Sequence, residues 1–271
     1  MNLTEKIYTP TARESLTEGL KIQARVVWAL ILREMQTKHG RKDIGYLWAM
    51  FEPIMLMGIF FALFAYRGMT EHAGMPLVPF LLTGILPVVT MRKIANGIST
   101  AELFAKPLLI YRQVTVLDAM IARVILEGAT FFVVFAFLVF VACATGYSQP
   151  PHDLLAVVIS LFMIIFFGMS AGFFQNVLTT FWPVFNRIMS HIWRLLLFVS
   201  CVFYTLRDVP AQVRDVLYYN PLVHLIELFR EGFFVSFETS IPGYGYVAIM
   251  AVVSLFIGLL SERMIRFRAF D

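Results

Sequence analysis

DAMIARVILEGATFFVVFAFLVFVACAT, running from Asp118 to Thr145, decides the fold. Its last charged residue is Glu127, and Gly128 to Ala144 carries neither charge nor proline. A hydrocarbon core of about 30 Å needs about 20 mostly apolar residues at about 1.5 Å each. Only a segment that satisfies its own backbone polar groups can cross it, so this run reads as a membrane-spanning helix.

Working outward, five more candidates appear. They are residues 46–66, 77–99, 154–174, 188–206 and 244–261, with turn-rich breaks at 68–76, 146–153 (GYSQPPHD) and 182–187. The second is awkward. Leu77 to Met91 gives only about 22 Å of helix, so the helix must run past Arg92 and Lys93 to Ser99. Composition agrees with a membrane protein. The chain of 271 residues is 59% hydrophobic and 15% charged, against about 25% charged in a typical soluble domain. That sets aside a soluble enzyme, a disordered protein and a disulfide scaffold. Cys143 and Cys201 lie in apolar stretches and read as buried thiols.

The net charge of +4 follows topology rather than nucleic-acid binding. With the N-terminus in the cytoplasm, 18 of the 22 Lys and Arg fall on that side; Arg67, Arg207, Arg214 and Arg230 fall on the other. Both ends are therefore expected inside. The fold class is an all-α polytopic membrane protein with six transmembrane helices, forming a single transmembrane domain over residues 1–271. No cleavable signal is expected, because the N-terminal stretch is polar and charged.

Segments between the spans carry their own signals. Residues 15–38 read as an amphipathic interface helix, with Ser15 and Glu18 as a capping box and Gly40 as its stop. It is an anchor, a docking surface for a cytoplasmic partner, or both. Residues 102–117 form a short, basic and apolar cytoplasmic segment, and such a loop wants lipid or a protein groove. Residues 207–243 hold two short helices, the first over 210–218. The second has Asn220 as N-cap and Pro221 at its first position. Its apolar face is Leu222, Leu225, Ile226, Phe229 and Phe233. Its other face, His224, Glu227, Arg230 and Glu231, reads as solvated.

Several motifs are weak. Gly168-Met-Ser170-Ala-Gly172 matches a nucleophile elbow, but lies inside an apolar helix and reads as a GxxxG packing pair. His224, Glu227 and Glu231 could be drawn as a metal site, yet no second cluster supports it, so no metal is expected. There is no GxxxxGK[ST] loop, so the chain is not expected to hydrolyse ATP by itself in the usual way. The intramembrane charges are better leads. Arg123 and Glu127 are candidates for a translocation path; they can also pair at i, i+4, and Arg123 can snorkel. Arg92 and Lys93 either line a path for an anionic substrate or pair and snorkel. Trp48, Trp182, Trp193 and Tyr204 sit near span ends, and Trp193 and Tyr204 could also line the path of a sugar polymer.

LREMQTKHGRKDIGYLWAMFEP (Leu32 to Pro53) resembles the approach to the first span in ABC-2-type exporter permeases. LFAKPLLIYRQV (Leu103 to Val114) and DAMIARVILE (Asp118 to Glu127) resemble their coupling segment and third span. YYNPLVHLIELFREGFF (Tyr218 to Phe234) resembles the outer amphipathic helix of the capsular polysaccharide branch, the inner-membrane permeases of group 2 capsule exporters. The resemblance implies a homodimer joined to two ATP-binding subunits. It implies no cofactor on this chain; ATP and Mg belong to the partner, so the chain is a transport subunit and not itself an enzyme. It implies an acidic polysaccharide cargo carried on a glycolipid through a Kdo linker. A periplasmic co-polymerase-type protein and an outer-membrane export protein would complete the route. Force from the ATPase would enter at Glu102, Phe104, Lys106, Pro107, Leu109, Tyr111 and Arg112, and at Arg33, Lys38 and Arg41 of the N-terminal region. Asn220, Pro221, His224, Glu227, Arg230 and Glu231 would form outer gate helices. Arg92-Lys93 and Lys106-Pro107 match no family role. Rivals are export of another lipid-linked glycan (O-antigen or teichoic acid), an ion-driven secondary transporter, and an intramembrane transferase. The transporter rival lacks internal repeats, and the transferase rival lacks a paired acidic site with a metal-binding pattern.

Overall fold

A helix surrounded by others must be apolar on every side, and Leu77–Met91 is built that way. In the computed structural model, residues 12–39, 44–101 and 114–268 are described, with side chains over 18–36, 51–101 and 114–261. In order come α1 (Ala12–His39), α2 (Ile44–Tyr66), a hairpin of β1 (Glu71–His72) and β2 (Met75–Pro76), and α3 (Leu77–Ser99). Next are α4 (Val116–Ala144), α5 (Leu154–Phe181) and α6 (Val184–Val199). A 3₁₀ turn (Leu206–Asp208), α7 (Ala211–Leu217), α8 (Pro221–Phe233) and α9 (Gly245–Arg268) complete the described chain.

Helix α3 is the hub. Nearly all of it is buried, whereas α4 and α5 expose one side each. These three are long and apolar enough to cross a membrane; α2 and α9 contain shorter apolar helical stretches, Phe51–Tyr66 and Gly245–Ser261. The α3–α5 contact is close because Gly168 and Gly172 leave room. A Cβ on Gly172 would sit 3.0 Å from the Ala95 Cα, and one on Gly168 would sit 3.2 Å from the Met91 Cα. The Ser170 hydroxyl donates to the Phe166 carbonyl at 2.9 Å, so this motif is packing rather than a nucleophile. Aromatic rings fill the space between α4 and α8, with Phe135 and Phe229 centroids 5.2 Å apart.

Several boundaries differ from the sequence reading. Helix α1 begins at Ala12, so Ser15 lies inside the helix and is not its cap. Helix α2 starts at Ile44, two residues before the expected Tyr46. Helix α4 starts at Val116 because Thr115 and Asp118 form a reciprocal capping box. Helix α5 continues past Phe174 to Phe181, since Gln175 is buried with partners inside the bundle and Asn176 is buried beside it. Only Trp182 and Pro183 separate it from α6. Helix α6 ends at Val199, seven residues short of Leu206. Cys201 takes a positive φ of 56°, which breaks the helix there. Helix α9 runs on to Arg268. The end of α3 at Ser99 matches the expectation drawn from its short apolar run.

Both cysteines are free thiols, Cys201 buried and Cys143 half-buried. Helix α1 docks on α4 through Ile31, with Val27 and Leu30, against Ala122 and Leu126. It still exposes Leu20, Trp28 and Leu32, so it is at once a packed element and an open apolar face.

Candidate functional site

The coupling residues Glu102, Phe104, Lys106, Pro107, Leu109, Tyr111, Arg112 and Arg41 lie outside the described residues, as do the side chains of Lys38 and Trp48. Arg33 lies on an exposed face of α1. What the structure does describe is how both flanks of that segment, the end of α3 and the start of α4, are held.

At the α3 end, five polar side chains meet among apolar helices. The Gln175 amide nitrogen lies 3.0 Å from Asn96 Oδ1, 3.2 Å from Ser99 Oγ and 2.9 Å from Asn186 Oδ1. Trp193 Nε1 donates to Gln175 Oε1 at 3.2 Å, and Ser99 donates to Asn186 at 2.9 Å. This network joins α3, α5 and α6, and only Trp193 had been singled out from the sequence. Isolated amides within apolar runs, as in GFFQNVL, were the available signal. Trp193 is 3% exposed and so is not at a membrane-surface belt.

Arg123 donates to the Gly97 carbonyl at 2.6 Å and to Thr100 Oγ1 at 2.9 Å, and it pairs with Glu34 of α1 at 2.8 Å. Sequence spacing offered Glu127 as its partner; Glu34, far away in sequence, carried no signal. At the α4 start, Asp118 accepts from Gln23 of α1 at 3.1 Å. Glu52 of α2 pairs with Arg92, and with Lys93 at 3.0 Å. Lys93 and Glu127 line a small cleft beside Pro53 and Thr90.

Arg92 and Trp193 do come together. They line a cavity of about 250 Å³ between α2, α3 and α6, with Arg194 also in its wall and the rest apolar, including Phe60, Val89 and Leu197. Tyr204 lies outside it, near the other end of α3.

That other end is closed differently. Beyond α6 the chain is irregular from Ser200 to Thr205, leaving carbonyls without helical partners. Arg230 takes three of them: Nη1 donates to Cys201 at 2.6 Å and to Tyr204 at 3.1 Å, and Nη2 to Val202 at 2.7 Å. Its guanidinium lies 4.0 Å over the Phe80 ring. Gly84 permits this approach, because a Cβ there would meet the Val202 carbonyl at 2.7 Å.

The expected solvated face of α8 is therefore corrected. His224, Glu227 and Arg230 are buried, and only Glu231 is partly exposed. His224 Nε2 donates to the Tyr218 carbonyl at 2.7 Å. Glu227 accepts from the Leu206 N–H and from the Thr239 hydroxyl, both at 3.2 Å. These side chains serve separate partners, and among the described residues no group of three His, Cys, Asp or Glu is placed to hold a metal. Asn220 caps α8 as expected, accepting from Leu222 N–H at 3.0 Å, and Pro221 opens the helix. Asp208 pins the hairpin through His72 at 2.9 Å. Partial burial pushes its carboxyl up, but hydrogen bonds from the Thr205 N–H and hydroxyl, with His72, outweigh that and hold it below the usual range.

The described residues thus form a buried helical hub, with three helices long and apolar enough to cross a membrane and a polar joint where α3, α5 and α6 meet. The ABC-2 type transporter family model matches residues 25–234, and the chain belongs to that family. It is 31% identical over 252 residues to the polysialic acid transport protein KpsM of Escherichia coli, covering 90% of this chain and 95% of that protein. It is 29% identical over 248 residues to the capsule polysaccharide export inner-membrane protein CtrC of Neisseria meningitidis serogroup A, covering 91% and 93%. The O-antigen export system permease RfbA of Klebsiella pneumoniae is more distant, at 22% over 232 residues, covering 84% and 86%.

Proposed function

We propose that this chain is the permease subunit of an ATP-driven exporter that carries a lipid-linked acidic capsular polysaccharide across the bacterial inner membrane. The observation that carries the reading is similarity over nine-tenths of the chain to capsule export permeases, against a weaker likeness to an O-antigen permease. The chain acts as a homodimer with two ATP-binding subunits, a periplasmic co-polymerase-type protein and an outer-membrane export protein. Helices α2, α3, α4, α5, α6 and α9 are its six crossings, with both termini cytoplasmic, as the distribution of Lys and Arg supports. Helices α7 and α8 then lie on the periplasmic side.

The mechanism follows from what holds the flanks of residues 102–113. The ATPase pushes on that segment and on α1. Arg123, tied at once to the end of α3 and to Glu34 of α1, moves the two together. The Gln175 amide has two hydrogens and three acceptors within reach, so α3 and α6 can shift against α5 while it keeps its bonds. Irregular backbone from Ser200 to Thr205 is tolerable near the membrane because Arg230 satisfies it inside protein.

The test is where polymer accumulates when the gene is deleted in its host. Polymer trapped in the cytoplasm beneath a bare surface is expected. Polymer absent from both places would point to synthesis, and an unchanged surface would overturn the reading.

A further inference from the structure

We propose that α6 presents a basic ladder, Arg187, His191 and Arg194, whose N–H donors bind the carboxylates of the passing polymer. The three residues recur at i, i+4 and i+7, which places them on one stripe of the helix. All three are exposed, whereas Trp193 and Leu197 form the buried side of the same helix. Helix α6 contains no Asp or Glu. Arg92 and Lys93 are answered by Glu52, Arg123 by Glu34, and Arg230 by three carbonyls. Among the described residues, the side chains of Arg187, His191 and Arg194 make no hydrogen bond or ion pair.

Their depth makes this informative. With α6 taken as a crossing, Arg194 lies ten residues beyond Val184, about 15 Å along the helix and inside a core of about 30 Å. Cationic side chains facing lipid there are expensive, so the stripe faces an aqueous path. Arg194 also reaches the cavity shared with Arg92 and Trp193, which sets the upper rung beside a wall able to take the apolar face of a sugar. The rungs are separated by about 6 and 4.5 Å, so successive acid groups can be handed along without any being held tightly. This inference rests on the export reading and on α6 being a crossing.

The test uses the transporter complex purified from its host and a fluorescent octamer of sialic acid, with the methyl-esterified octamer as its uncharged comparator. The triple variant Arg187→Gln, His191→Gln, Arg194→Gln is expected to bind the acid octamer at least tenfold more weakly. Binding of the ester should not change, and Arg194→Lys should retain acid binding. If the triple variant is absent from membranes, Arg194→Gln alone takes its place, with a several-fold loss expected. Wild-type protein that does not prefer the acid octamer, a variant within twofold of wild type, or equal losses for acid and ester would each overturn the ladder. In cells, gene deletion with full rescue by the triple variant rejects the ladder but leaves the export reading intact. An unaltered surface on deletion rejects that reading itself.

Discussion

The two ends of α3 are both held by an arginine, and the two differ in how many of its partners are backbone. At the Phe80 end, Arg230 is fully buried, gives its hydrogens to backbone carbonyls and stacks on a ring. At the Gly97 end, Arg123 retains some exposure; it donates to one backbone carbonyl, that of Gly97, and its other partners are side chains, among them a carboxylate on another helix. Arg92 and Lys93 share Glu52 in the same half-exposed manner. Backbone partners cannot rearrange without unfolding the segment, whereas side-chain ion pairs between helices can exchange. The difference teaches where the molecule is fixed and where it can move. The movable end is the one that flanks residues 102–113.

The largest expected effect comes from breaking the fixed end. Arg230→Ala leaves three carbonyls without donors and should destabilise the chain by about 3 kcal/mol or more, since each unmet buried polar group costs about 1–3 kcal/mol. Thermal unfolding in detergent measures it. Arg230→Lys should rescue little, because a point ammonium cannot reproduce the fork. A melting temperature within a degree of wild type would remove the clamp from the account. Gly84→Ala comes next, at about 1–3 kcal/mol, because the added methyl meets the Val202 carbonyl, which is backbone and cannot swing away.

The movable end should respond in function more than in stability. Gln175→Leu removes the shared amide and should cost about 1–2 kcal/mol while leaving ATPase turnover poorly coupled to export. Parallel assays of ATP hydrolysis and surface polymer would show the split, and equal losses in both would deny it. Glu52→Gln is the smallest in stability, under about 1 kcal/mol for a half-exposed pair, yet it releases Arg92 and Lys93 together. Export should change several-fold although the melting temperature barely moves.

How much of this was legible in the sequence depends on the range of the interaction. That α3 runs past Arg92 and Lys93 could be read because 15 apolar residues cannot span a bilayer, and the cap of α8 because Asn220-Pro221 is a local signal. The burial of His224, Glu227 and Arg230 was not legible. A polar helix face normally meets water, and what covers this one is an irregular stretch some 20 to 30 residues earlier. The length of α6 failed for the same reason: the apolar run continues to Leu206, but Arg230 makes an unwound end affordable at Val199. The Gln175 network was hidden because its bonded members lie up to 87 residues apart, although Gln175 itself stood out in an apolar run.

The two ends of α3 predict that ATP-driven motion enters at Gly97 while the Phe80 end stays fixed. Hydrogen exchange of the assembled transporter, with and without a non-hydrolysable ATP analogue, tests it most directly. The prediction is that amides over 94–101 and 175–186 change protection by tenfold or more, and that 200–205 and 226–232 do not change. Protection that shifts around Arg230 while the Gln175 region stays constant would contradict it.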